Sequence, residues 1–117
     1  MQIQVTTDNH IHGSADLNAL VEAAVTGALG RFEGKVTRVE VHLTDENSST
    51  KAGGNDKKCV MEVRIAGMQP LVVTHAAPDV QLSIDGAADR LEKLLDRTLS
   101  KLDHHKGNTS FAGEQSF

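Results

Sequence analysis

The feature that most constrains this chain is a long apolar stripe at helical spacing near its C-terminal end. Ile84, Ala87, Ala88, Leu91, Leu94, Leu95, Leu99 and Leu102 recur at three- and four-residue steps. At 100° per residue they share one face. Pro78-Asp79 supplies a helix start and the pattern persists to about His105, which predicts a helix roughly 40 Å long at 1.5 Å per residue. So long a stripe must be buried against a broad apolar surface, and a sheet is the natural partner.

Alternation supplies that sheet. Ile3 and Val5 alternate with Gln2, Gln4 and Thr6. Val39, Val41 and Leu43 alternate with Arg38, Glu40 and His42. Cys59, Met61, Val63 and Ile65 alternate with Lys58, Val60, Glu62 and Arg64. Each reads as a strand with one wet face. Ala66 to Pro70 reverses the chain into a further strand, Leu71 to His75, so the last two strands form a hairpin.

Between the first two strands, Leu17, Leu20, Val21, Ala24, Val25, Ala28 and Phe32 repeat at helical spacing. Ser14 can cap this helix and Asp16 suits its first turn. It is expected to run from Ala15 to Glu33 and stop at Gly34. The predicted fold is α+β, in the order β-α-β-β-β-α, with a four-stranded sheet and two helices packed on one face.

The domain is expected to span 1–106, followed by a disordered polar tail over 107–117. Asp45 to Lys57 contains no large apolar residue and carries Gly53-Gly54, so it reads as a flexible surface loop. The core is expected to join Ile3, Val5, Val39, Val41, Leu43, Met61, Val63 and Ile65 to Leu17, Val21, Leu91 and Leu95.

The chain has 117 residues, three Phe, no Tyr and no Trp. So few aromatics argue against an aromatic stacking platform for single-stranded nucleic acid. The net charge of −4 means that any contact with phosphate needs a local basic patch. No run is long and apolar enough for a membrane span. The N-terminal segment lacks the features of a secretory signal, and the lone Cys59 excludes an intrachain disulfide. These observations predict a soluble cytoplasmic protein.

The long helix carries the patch that the overall charge demands. Arg90, Lys93, Arg97, Lys101 and His104 project along one edge of its apolar stripe. Asp85, Asp89, Glu92, Asp96 and Asp103 project along the other. A solvated helix with local pairs, such as Asp89–Lys93 and Lys93–Asp96, explains the charges individually. Their segregation fits a ladder of cations for phosphate better than random decoration does, although spacing alone still favours the solvated face.

The chain shows no catalytic constellation. Ser14 and Thr74 have no recognisable base, and no phosphate-loop pattern follows Gly53-Gly54. Cys59 falls in phase with the buried side of its strand and reads as a small core residue. The pairs His10/His12 and His104/His105 raise the thought of a metal, but nothing in the sequence brings them together, and no metal or other cofactor is expected.

The segment Val73-Thr74-His75-Ala76-Ala77-Pro78-Asp79-Val80-Gln81-Leu82-Ser83-Ile84-Asp85 resembles the ribosome hibernation-promoting factor and ribosome-associated inhibitor family (HPF/RaiA). That family joins its last strand to a helix opening like Asp-Met-Tyr-x-x-Ile-Asp, which Asp79, Ile84 and Asp85 match, with Gln81 in place of the tyrosine. Arg90-Leu91, Lys93, Arg97 and Lys101 resemble its basic second helix. Ala15-Asp16-Leu17 to Val21 and Val39 to Leu43 are similar to its first helix opening and second strand. The likeness covers about residues 1–106.

The resemblance implies a double-stranded-RNA-binding-like domain that sits on the small ribosomal subunit and blocks translation during slow growth or stress, with no enzymatic activity. It implies RNA contacts from Arg90, Lys93, Arg97 and Lys101, with secondary contacts from Lys35, Arg38, Lys58 and Arg64. The expected partner is ribosomal RNA, not DNA or membrane, and a monomer is favoured over a dimer. The family's first helix is usually basic, whereas here Arg31 stands against Asp16, Glu22 and Glu33. A rival reading is a protein-interaction module, even a homodimer, that keeps the fold without RNA binding. A metal-responsive protein using the His pairs is a weaker rival.

Overall fold

The computed structural model describes residues 1–8, 11, 13–45 and 56–110, with side chains described as far as Lys101. The order is β1 (Gln2–Thr7), α1 (Ala15–Leu29), β2 (Val36–Asp45), β3 (Lys57–Ile65), β4 (Leu71–Ala77) and α2 (Val80–Ser110). The sheet runs β1-β2-β3-β4. β1 pairs with β2 in parallel, as a crossover helix requires, and the other two pairings are antiparallel.

Each element begins where its chemistry directs. Ser14 is extended, at φ −152° and ψ 166°, and its hydroxyl accepts the Leu17 N–H in α1. Asp79 does the same for α2, its Oδ1 accepting the Leu82 N–H at 2.8 Å. Gly67, in the turn between β3 and β4, has φ +79°, a conformation that glycine adopts without strain.

The core is one aliphatic layer between the sheet and the helices. Val39, Val41, Leu43, Cys59, Met61, Val63 and Ile65 are buried beneath Val21, Val25 and Leu29 of α1 and Ile84, Leu91 and Leu95 of α2. Ile3, Val5 and Leu17, expected to be buried, are only partly so, although they pack against the core. Ile3 and Val5 belong to an outer strand of the sheet, and α2 packs on β3, β4 and α1 rather than on β1.

Several boundaries differ from the sequence reading. The first helix stops at Leu29, not Glu33, and Gly30–Phe32 tightens into a 3-10 turn that buries Phe32. Asp45 and Lys57, expected in the loop, close the β2–β3 ladder opposite each other. Asp56 is buried to 8% exposure, and the remaining loop residues, 46–55, lie outside the described residues. α2 continues past His105 through Gly107 to Ser110, so the segment expected as a tail begins as helix. Residues 111–117 lie outside the described residues.

Candidate nucleic-acid interface

α2 lies over β3 and β4, so one edge of the helix runs beside the outer strand β4. That is the basic edge. Val73, Arg90, Lys93, Leu94, Asp96 and Arg97 line a shallow open groove there. Its lining combines the apolar Val73 and Leu94 with three cations and one carboxylate. Three of the four predicted RNA-contact residues thus share one groove. Lys101 follows Arg97 by one helical turn on the same edge and is exposed.

The four cations are held differently. Arg90 Nη1 donates to the Thr74 carbonyl oxygen at 3.1 Å, which fixes its guanidinium at the rim of β4. Lys93 Nζ lies 3.0 Å from Asp89 Oδ2, one turn earlier, in a pair whose side chains are 74% and 58% exposed. So exposed a pair holds the lysine by well under about 1 kcal/mol. Arg97 and Lys101 have no ion-pair partner among the described residues. The edge therefore presents one anchored and three readily available positive charges.

The acidic edge has its own partner, which the sequence reading missed. Arg31, just beyond α1, reaches Asp96 at 3.3 Å and Glu92 at 3.7 Å and lies over the Phe32 ring, 4.4 Å from its centroid. Asp96 thus pairs with Arg31, where the sequence suggested Lys93. The charges of α2 separate because its two edges face different neighbours: α1 and the Arg31 that follows it on one side, and the rim of β4 on the other.

The expected secondary contacts are elsewhere. The side-chain alternation of β2 and β3 turns Arg38, Lys58 and Arg64 to the face of the sheet opposite the buried core. Arg38 pairs with Arg64, and Glu40 with Glu62, directly across the β2–β3 ladder. Like charges opposite each other are unfavourable, and same-strand and diagonal pairs relieve them. Arg38 Nε lies 2.9 Å from Glu40 Oε2 and also contacts the Gln4 side chain. Arg64 reaches Glu62 at 3.6 Å and Glu40 at 3.8 Å, and His42 approaches Glu40 at 3.8 Å. Lys35 sits apart, exposed in the turn before β2.

The remaining candidates are quickly placed. Cys59 is fully buried, and burial pushes its thiol up to about 12. A thiol so far from ionisation is no nucleophile at neutral pH. Among the described residues no group of three or more His, Cys, Asp and Glu is placed to hold a metal. The His10, His12, His104 and His105 side chains lie outside the described residues. No helix among the described residues is long and apolar enough to cross a membrane.

The β-α-β-β-β-α order, the mixed four-stranded sheet and the paired helices define the class: a small α+β domain with one long charge-banded helix. Within that class the family is specific. Residues 3–103 match the family described as Sigma 54 modulation protein / S30EA ribosomal protein, and the chain belongs to it. The resemblance to HPF/RaiA read from the Val73–Asp85 segment is to this same family of ribosome-associated factors.

Among solved structures, the chain is similar in fold to the N-terminal domain of Thermus thermophilus Protein Y. The TM-score is 0.66 at 21% identity, over 84% of this chain and 99% of that one. A ribosomal subunit interface protein from Coxiella burnetii is similar at TM-score 0.65 and 18% identity, over 86% of this chain and 99% of that one. No curated protein matches the sequence.

Proposed function

We propose that this protein is a translation inhibitor of the hibernation-factor kind, binding the small ribosomal subunit by laying the basic edge of α2 along ribosomal RNA. The observation that carries the reading is the gathering of Arg90, Lys93 and Arg97 at one groove beside β4, with Lys101 in line one turn on. Family membership supplies the ribosome as partner. The name of the Coxiella burnetii neighbour, a ribosomal subunit interface protein, agrees with it.

A helix edge with cations every three or four residues contacts phosphates without reading base edges, so recognition is by backbone and shape. The chemistry is binding rather than catalysis. Arg38 and Arg64, already engaged by carboxylates on the far face of the sheet, are secondary to α2, as are Lys35 and Lys58.

The test is co-sedimentation with small ribosomal subunits on sucrose gradients. Four phosphate contacts give a log–log salt slope of about −3, a loss of about 10²-fold between about 50 and about 200 mM salt. Changing Arg90, Lys93, Arg97 and Lys101 together to Gln abolishes the association, with circular dichroism confirming that the fold survives. Wild-type protein that never co-sediments at low salt would overturn the ribosome reading. Normal binding by the fourfold variant would overturn the residue assignment.

A further inference from the structure

β4 is an outer strand of seven residues, Leu71-Val72-Val73-Thr74-His75-Ala76-Ala77, paired among the described residues only with β3. Outer strands usually carry a lysine, a proline or a bulge that discourages further pairing. β4 has no charged residue and no proline, and its register with β3 runs without irregularity. Val72, 54% exposed, is one of two large hydrophobic residues described as exposed. Among the described residues the one guard on the strand is the Arg90 guanidinium, which occupies the Thr74 carbonyl. That contact shows which groups face outward. In an antiparallel ladder the N–H and C=O of alternate residues turn to the same side, so Val72, Thr74 and Ala76 present theirs to the open edge.

We propose that this edge takes up an extended acidic segment of a partner protein as a fifth strand, with Arg90 as the gate that must release Thr74. Charge selects the occupant. An added strand lies about 4.8 Å beyond β4, beside Arg90, Lys93 and Arg97. Its side chains on the helix side meet those cations, and its side chains on the other side meet Val72 and Ala76. The fitting partner alternates carboxylates with small apolar residues. A second copy of this chain fits poorly, because pairing β4 with β4 would bring two sets of Arg90, Lys93 and Arg97 together. The proposal goes beyond the ribosome reading, since it uses the β4 backbone, which phosphate binding does not need. A strand seated there would compete with RNA for the same cations.

The probe is a short capped peptide of alternating valine and glutamate, titrated into the isotope-labelled full chain without ribosomes. Amide exchange at Val72, Thr74 and Ala76 should slow about ten-fold or more on binding, while β1, the opposite edge, is unchanged. A valine–lysine peptide should bind about ten-fold or more weakly, and Lys93→Glu with Arg97→Glu should reverse that order. Arg90→Gln should raise uptake of a neutral valine–threonine peptide by freeing the Thr74 carbonyl, and unchanged uptake would overturn the gate. Absence of binding would overturn the proposal. So would shifts confined to α2 without protection of the β4 amides, which mark ionic adhesion to the helix. Protection of those amides in a dimer without peptide would assign the edge to self-pairing instead.

Discussion

Gly86 lies inside α2, where glycine costs about 1 kcal/mol relative to alanine. A surface helix should therefore gain stability from Gly86→Ala. Here the opposite is expected. A methyl group at Gly86 would overlap the His75 ring, running into Cδ2 and Nε2 and coming within 2.7 Å of Cγ. Cγ is bonded directly to Cβ, so turning the ring about χ2 leaves it in place. Relief requires a change in χ1 or a lift of α2 off β4. Overpacking of this kind costs about 1–3 kcal/mol, so the net effect of Gly86→Ala is a loss of up to about 2 kcal/mol. With His75→Ala in the background the obstacle is gone, and Gly86→Ala should then stabilise by up to about 1 kcal/mol. Urea denaturation followed by circular dichroism on the four proteins of the cycle gives a coupling of about 1–3 kcal/mol. A coupling below about 0.5 kcal/mol would refute the contact, and with it the close seating of α2 on β4 that places Arg90 at Thr74.

Other measurements probe the core and the charges. Leu95→Ala should cost about 2–5 kcal/mol in the same assay, because Leu95 is fully buried; a cost near zero would mean that another face of α2 meets the sheet. Because burial raises the Cys59 thiol from 9.0 to about 12, a thiol reagent at pH 8 should label it only as the chain unfolds. The folded state holds the neutral thiol and the unfolded state ionises first, so stability should also fall as the pH rises from about 9 towards about 12. Changing Glu92 and Asp96 to their amides should cost less than about 1 kcal/mol, since these pairs with Arg31 are exposed, and ribosome binding should hold or tighten.

Much of the fold was legible because its periodicities were unbroken. The Cys59–Ile65 alternation marked β3, and the stripe from Ile84 to Leu99 marked the buried face of α2. The caps Ser14 and Asp79 were readable as residue types in the right place. β2 was legible only in part. The β2–β3 register shifts between Val36 and Arg38, and Val36 and Val39, three residues apart, are both buried. A strict two-residue pattern begins at Val39 and misses the first turn inward. The end of α1 was missed because Phe32 continued the apolar stripe, while the chain in fact tightens at Gly30 to bury that ring.

At the candidate site, the basic edge was visible as a spacing of charges, but its neighbour was not. Whether Arg90 meets solvent or a carbonyl depends on β4 passing beside it, a contact across the fold that no local pattern encodes. Arg31 was noted only as a lone cation against acidic neighbours. Its partners, Glu92 and Asp96, are distant in sequence, yet both belong to the acidic edge, and the lone positive charge was the available signal. Gly86 carried no such signal: Gly27, equally inside a helix, has nothing within 4 Å of where its side chain would be.

The β2–β3 connection is clamped at its root. Lys57 Nζ sits 3.4 Å from both Asp45 Oδ2 and Asp56 Oδ1. Asp8 accepts the Asp45 N–H at 3.1 Å through Oδ2 and the Ile11 N–H at 3.1 Å through Oδ1, while its own N–H donates to the Leu43 carbonyl. Three chain segments are thus pinned together before residues 46–55 depart. A connection anchored in this way serves as a socket: what is plugged into it changes without loosening the sheet. Doubling its length costs only about 0.6 kcal/mol in closure entropy. A foreign epitope or a second small domain could be spliced between Asp45 and Asp56 as cargo, at the end of the sheet where Lys57 pairs with Ala77 and α2 is about to begin.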